Sequence, residues 1–133
     1  MKKVFCILTA LLLLLALCAC SAEDTDCFYF KNETGAKIHG FYVSAMDSDE
    51  WGDKLNYAIV SQNGQITIDI SKLPNGAGSY DIGAIDENEI NYDFYEIPIA
   101  VGDILALSRS GDTAILNITH ADGTANEYFG YAY

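Results

Sequence analysis

The sequence predicts an all-β fold, an antiparallel β-sandwich of about eight strands, with immunoglobulin-like and C2-like topologies both open. Three observations lead there. Short runs rich in Ile, Val, Phe and Tyr recur along the chain with two-residue alternation. Clusters of Gly, Asn and Asp separate them at regular intervals. After the N-terminal leader, no long segment keeps apolar residues at the 3.6-residue spacing of a helix.

The leader comes first. Lys2 and Lys3 precede an apolar run from Val4 to Leu17. That run is shorter than the roughly 20 residues a membrane span needs and has the layout of a secretory signal. Leu17-Cys18-Ala19-Cys20 then reads as a bacterial lipobox, with Leu17 at −3, a small residue at −1 and Cys20 as the first mature residue. Residues 1–19 are expected to be a lipoprotein signal peptide, and Cys20 to carry the lipid. Residues 20–26, polar after Cys20, are read as a tether, and residues 27–133 as the domain. The expected location is outside the cytoplasm, held to a membrane through acyl chains at Cys20.

The strands follow in order. Cys27 to Lys31 opens the domain, and Asn32-Glu33-Thr34-Gly35 turns the chain. Lys37 to Ala45 is the second strand, with Phe41, Val43 and Ala45 on one face and Tyr42 and Ser44 on the other. Ile38 is out of phase with Phe41, so Gly40 marks a bulge. An acidic loop runs from Met46 to Asp53. Tyr57 to Ser61 reads as a short strand, and Asn63-Gly64 as a turn before Gln65 to Ile70. Beyond a loop from Ser71 to Ser79, Tyr80 to Ile85 and Tyr92 to Ile97 form an antiparallel pair around Asp86-Glu87-Asn88-Glu89. Pro98 to Gly102 reads as a connection, because Pro98 has no N–H to give to a ladder. Ile104 to Ser108, Ala114 to Thr119 and Asn126 to Tyr131 complete the set, the last as an edge strand.

Charge and cysteines narrow the function classes. All nineteen carboxylates lie beyond residue 19, and five cations accompany them, which leaves a mature net charge of −14. Such a surface repels nucleic acid and anionic lipid head groups, so the expected partners are an envelope protein or a glycan. With Cys6 and Cys18 in the signal and Cys20 lipidated, Cys27 is the one cysteine left, read as a small buried side chain. A Cys-based zinc site is therefore not expected. His39 and His120 lack metal-ligand spacing, no G-x-S-x-G elbow occurs, and no glycine-rich phosphate loop is visible. No catalytic residues are assigned, and the chain is read as non-catalytic.

The acidic loop is the most unusual local chemistry. It packs Asp47, Asp49, Glu50 and Asp53 around Trp51, the sole tryptophan. The run copies the first half of an EF-hand but fails at its fifth position, Trp51, and at its twelfth, Ala58. The sequence leaves one calcium reading open: Asp47, Asp49, Glu50 and Asp53 joined by Asp86 and Glu87 at one end of a sandwich. No other cofactor is expected. Trp51 has two readings, a plug that closes the core, or a ligand platform with Tyr42 or Tyr57. The C-terminal Tyr128-Phe129-Gly130-Tyr131-Ala132-Tyr133 raises the same question of an exposed aromatic stripe.

The run Asn32-x-Thr34-Gly35-x-x-Ile38, then Tyr42-Val43-Ser44, then Asp49-x-Trp51-Gly52-Asp53 resembles a family of small uncharacterised secreted bacterial domains. Tyr80-Asp81-Ile82 and Asp86-Glu87-Asn88-Glu89 extend the resemblance over about residues 28 to 97. The chain departs from that pattern at Lys54-Leu55-Asn56-Tyr57. It departs again at Glu89, which stands where the family has a hairpin glycine and points to a longer loop. The resemblance implies a compact exported β-domain and brings no activity with it. The function expected from all of this is a membrane-tethered binding or structural module. The alternative is a calcium-dependent adhesion or carbohydrate-binding module built on the acidic loops.

Overall fold

The computed structural model describes residues 26–74 and 78–133. The signal, Cys20 and most of the tether lie outside the described residues. Eight strands form: β1 (Cys27–Asn32), β2 (Ile38–Ala45), β3 (Gln65–Asp69), β4 (Ser79–Asp86), β5 (Asn91–Pro98), β6 (Ile104–Ser110), β7 (Thr113–Thr119) and β8 (Ala125–Ala132). One 3-10 turn, Ile70–Lys72, follows β3. The all-β expectation holds at strand after strand.

The layering differs from expectation. All eight strands belong to one sheet, in the order β2-β4-β5-β8-β7-β6-β1-β3. It is mixed rather than antiparallel, because β1 runs parallel to β6 while β3 lies antiparallel on its other side. The sheet curls into a half-barrel in place of two separate layers. The curl brings strands from its two ends together: the rings of Phe30 on β1 and Phe41 on β2 stack with centroids 4.1 Å apart and planes 19° off parallel.

The inner face follows the alternation. Phe28 and Phe30, Ile38, Phe41 and Val43, Ile82 and Ala84, Tyr92 and Phe94, Leu105 and Leu107, and Leu116 and Ile118 are all buried there. Ladder register slips between Ile38 and Gly40, the bulge that the phase of Ile38 predicts. At the β4–β5 hairpin Glu89 takes the left-handed conformation of the missing glycine, with φ 63°. Its N–H donates to the Asp86 carbonyl, and the Asp86 carboxylate accepts from Asn88 N and Ile90 N. Those bonds hold a tight turn at a position unfavourable to a side chain, where a longer loop was expected.

Tyr57 to Ser61 does not form the regular strand that its composition suggests. It belongs instead to an irregular strap along the free edge of β2. Leu55 N donates to Phe41 O, and Ile38 and Val60 exchange both backbone bonds. Buried Asn56 does the work of a ladder residue: its Oδ1 accepts from Phe41 N, and its Nδ2 donates to His39 O and Ala58 O. Asn32, fully buried, holds the far end of the strap, donating to Val60 O and Ser61 O and to Ala36 O in its own turn. Two asparagines thus join the β2 edge to the β1–β3 end, and an open edge that would template aggregation is covered.

Candidate functional site

The outward alternation of β2, β4, β5 and β8 builds one continuous patch. Tyr42 on β2 stands opposite Gly83 on β4, Gly83 opposite Asp93 on β5, and Asp93 opposite Tyr131 on β8. One pair along, Ser44 faces Asp81. Tyr133 follows Tyr131 on the same face and exchanges backbone bonds with Asn91. The acidic loop folds back over this surface. The benzo ring of Trp51 lies above Gly83, so close that a Cβ there would sit 3.1 Å from it.

This placement settles the Trp51 geometry. The ring is 44% exposed and lies outside the core, so it is not the plug between layers. The physical reason is the sheet itself: the inner face is already filled by Phe30 and Phe41, whereas Gly83 leaves a bare patch on the outer face. Trp51 and Tyr42 line a cleft of about 280 Å³ whose floor is Gly83 and Ile85 and whose far wall is Asn91 and Asp93. Tyr57 is not part of it. That side chain is 95% exposed and lines a different depression, with Asp53, Lys54 and Lys72.

The Gly83 contact is testable. Gly83→Val is expected to lift Trp51 off the sheet, red-shifting its emission and raising acrylamide quenching, while the fold is kept at a loss of about 1–3 kcal/mol. Unchanged quenching would show that Gly83 does not seat the ring.

The proposed meeting of the two acidic loops does not occur. The Met46–Asp53 loop leaves the Ala45↔Tyr80 end of the β2–β4 ladder, and Asp86 lies at the Ile38 end. Seven residues of strand, roughly 20 Å, separate them. Asp86 and Glu87 are moreover engaged at home: Tyr92 Oη donates to Asp86 Oδ2 at 2.8 Å, and Lys37 N donates to Glu87 Oε1. The first loop also splits. Asp49 and Glu50 face a small cleft with Trp51, Asp81 and Tyr95, whereas Asp53 lines the depression around Tyr57. The two acidic loops therefore do not come together at one end of the sheet. Among the described residues no group of three or more His, Cys, Asp or Glu is gathered as a metal site.

The groups that complete the patch were not singled out from the sequence as site residues. Asp81 and Asp93 are only 8% and 7% exposed, although both point outward. Tyr95, Phe129, Tyr131 and Tyr133 are all more than half exposed beside them. The Tyr133 hydroxyl donates to Asp93 Oδ2 at 2.6 Å, and that bond to a carboxylate raises its pKa. Burial, then the charges of Asp93 and Asp81, raise the pKa of Tyr95 too. The available signal was the C-terminal aromatic stripe. β8 turns out to be an interior strand between β5 and β7, not an edge, and this sets the stripe beside Asp93.

A second polar cluster lies away from this face. Asp103, 1% exposed, accepts from Ala100 N and contacts His120 Nδ1 at 2.8 Å, while His120 Nε2 contacts the Asn126 amide at 2.9 Å. The ring is thus held between the Asp103 carboxylate and the Asn126 amide. Both ring nitrogens are occupied in tying the β5–β6 and β7–β8 connections, so neither is poised to take a proton from a substrate. No protein family, curated protein or solved structure matches the chain.

Proposed function

We propose that this chain is a non-catalytic binding module tethered to the cell envelope through lipid at Cys20, and that it presents the outer face of β2, β4, β5 and β8 to its partner. Kinship with the small secreted domains that share the N-x-T-G and W-G-D runs belongs to the same proposal. The observation that carries it is Trp51, held at the surface over Gly83 and continued by exposed Tyr95, Tyr131, Tyr133 and Phe129. A contiguous exposed aromatic patch on a domain with a full core is a feature of binding surfaces. Aromatics are enriched there because they offer large rigid contact area with a polar tip. A glycan is the second partner class, favoured by planar rings around a glycine floor, and it needs no calcium.

Labelled palmitate is expected to enter the wild-type and Cys18→Ser proteins and not Cys20→Ser; label on Cys20→Ser would end the anchor reading. For the face, a photo-crosslinking residue replacing Tyr95 in the tethered protein should give adducts in cells. A discrete product indicates a protein and a ladder a glycan. The same residue replacing exposed Thr67 on β3 should give neither. No adduct at position 95 would sink the binding reading.

A further inference from the structure

The buried aspartates Asp86 and Asp103 are hydrogen bonded at both carboxylate oxygens, whereas Asp81 and Asp93 are bonded at one oxygen each. Each is more than nine-tenths buried and each accepts one hydrogen bond, Glu96 N to Asp81 Oδ1 at 3.1 Å and Tyr133 Oη to Asp93 Oδ2 at 2.6 Å. Asp81 Oδ2 and Asp93 Oδ1 receive none from the described residues. The Lys–carboxylate ion pairs among the described residues are Lys31–Glu33 and Lys37–Glu87, and His120 contacts Asp103, so neither aspartate has a paired cation. The ionisable side chains that share their clefts are Tyr42, Asp49, Glu50 and Tyr95, none of them a cation, while Lys54, paired with Tyr42 beyond the β2 edge, lines the separate depression around Tyr57. No unpartnered side-chain oxygen is buried among the described residues, so these two oxygens open onto the clefts and give them a negative lining. Carboxylates open to a cleft beside exposed aromatic rings are the electrostatic complement of a cationic ligand.

Resting on the binding-face reading above, we infer that the ligand brings the missing positive charge: a lysine- or arginine-bearing polypeptide segment lies across the outer face. One basic side chain enters the Trp51–Tyr42 cleft, its stem on Gly83 and Ile85 and its charge between the indole and Asp93. A cation over an indole is attracted by the ring quadrupole, and a flanking carboxylate adds to that attraction. The face favours a polypeptide over a lone small amine because its acidic stations are spread out. Asp93 lies midway along the row, Asp81 beside it under the acidic loop, and Asp112 near Tyr131 at the far side. From β2 to β7 the row crosses four strand spacings, roughly 19 Å. One basic segment can meet several carboxylates over that span.

Trp51 is the sole tryptophan, so its fluorescence reports on the cleft directly. The full chain, purified in a neutral detergent, is titrated with a Lys/Arg-rich oligopeptide, a Gly/Ser peptide of equal length and a neutral oligosaccharide. Saturable quenching by the basic peptide alone is expected, at least tenfold weaker in about 500 mM than in about 50 mM salt. Asp93→Asn and Asp81→Asn should each weaken it at least tenfold with no drop in melting temperature. Glu33→Gln, the same charge change elsewhere, should stay within twofold. Equal loss in Glu33→Gln would reduce the effect to net charge and overturn the inference. So would self-association that consumes the face and disappears in Trp51→Ala. Binding of the oligosaccharide but not the basic peptide would overturn the cationic ligand and leave the binding face standing. Binding of neither, with no crosslink at position 95, would remove both.

Discussion

Phe41→Ala is expected to lower the unfolding free energy by about 3–5 kcal/mol, the cost of truncating a fully buried aromatic ring. In a domain of this size that corresponds to a fall in melting temperature of about 10–25 °C. The position matters as much as the volume. Phe41 stacks on Phe30 across the interior, joining strands near opposite ends of the sheet order. A cavity there removes both the burial and the contact that holds the curl. Urea unfolding followed by circular dichroism measures the loss. Under about 1.5 kcal/mol would show that other contacts carry the curl. Ala132, buried on β8 at the middle of the sheet, provides a comparison: Ala132→Gly removes little volume and should cost far less.

Asn32→Ala is the second large effect, with an expected loss of about 2–4 kcal/mol. Its Nδ2 donates to Ala36 O at 2.7 Å, Val60 O at 3.0 Å and Ser61 O at 3.2 Å, while Oδ1 accepts from Thr34 N and Thr34 Oγ1. Truncation removes five bonds at about 0.5–1.5 kcal/mol each before relaxation, although Val60 O, Ser61 O and Ala36 O keep second donors in Ile38 N, Gly64 N and Thr34 Oγ1. Thr34→Ala, which removes one partner and leaves the strap bonds, should cost about 1 kcal/mol. Amide exchange separates the two. In Asn32→Ala the Val60 and Asn63 amides, which bond Ile38 O and Asn32 O, should lose protection ahead of the β6–β7 ladder. If they exchange no faster than in the wild type, Asn32 is not the clamp of the strap.

The same residue shows where sequence reading stops. Asn32 reads locally as the first residue of a turn, and its side chain does bond Thr34 in that way. Its larger role depends on Val60 and Ser61, 28 and 29 positions away, and nothing in the Asn-x-Thr-Gly pattern encodes that distance. Trp51 behaves alike. Its chemistry suits a plug or a platform, and the choice rests on Gly83, far along the chain, leaving a bare spot on the outer face while aromatic rings fill the inner one. Pairing of the acidic loops is a third case. The composition of each was legible, but only the antiparallel register of β2 with β4 sends them to opposite ends.

What the amino-acid sequence determined by itself is the eight strands, though not that Tyr57 to Ser61 would be an irregular strap, together with the side of each that faces inward, the bulge at Gly40 and the acidic loop around Trp51. These follow from alternation and turn chemistry, which act over a few residues. Only the tertiary structure decided the sheet order, the parallel β1–β6 pair, the interior position of β8 and the outer face where Trp51, Asp81, Asp93, Tyr95 and Tyr131 meet. The period-two pattern assigns a residue to a face but does not choose the strand beside it. That choice is made by closing one core from the whole chain, and the outer face is assembled as its consequence.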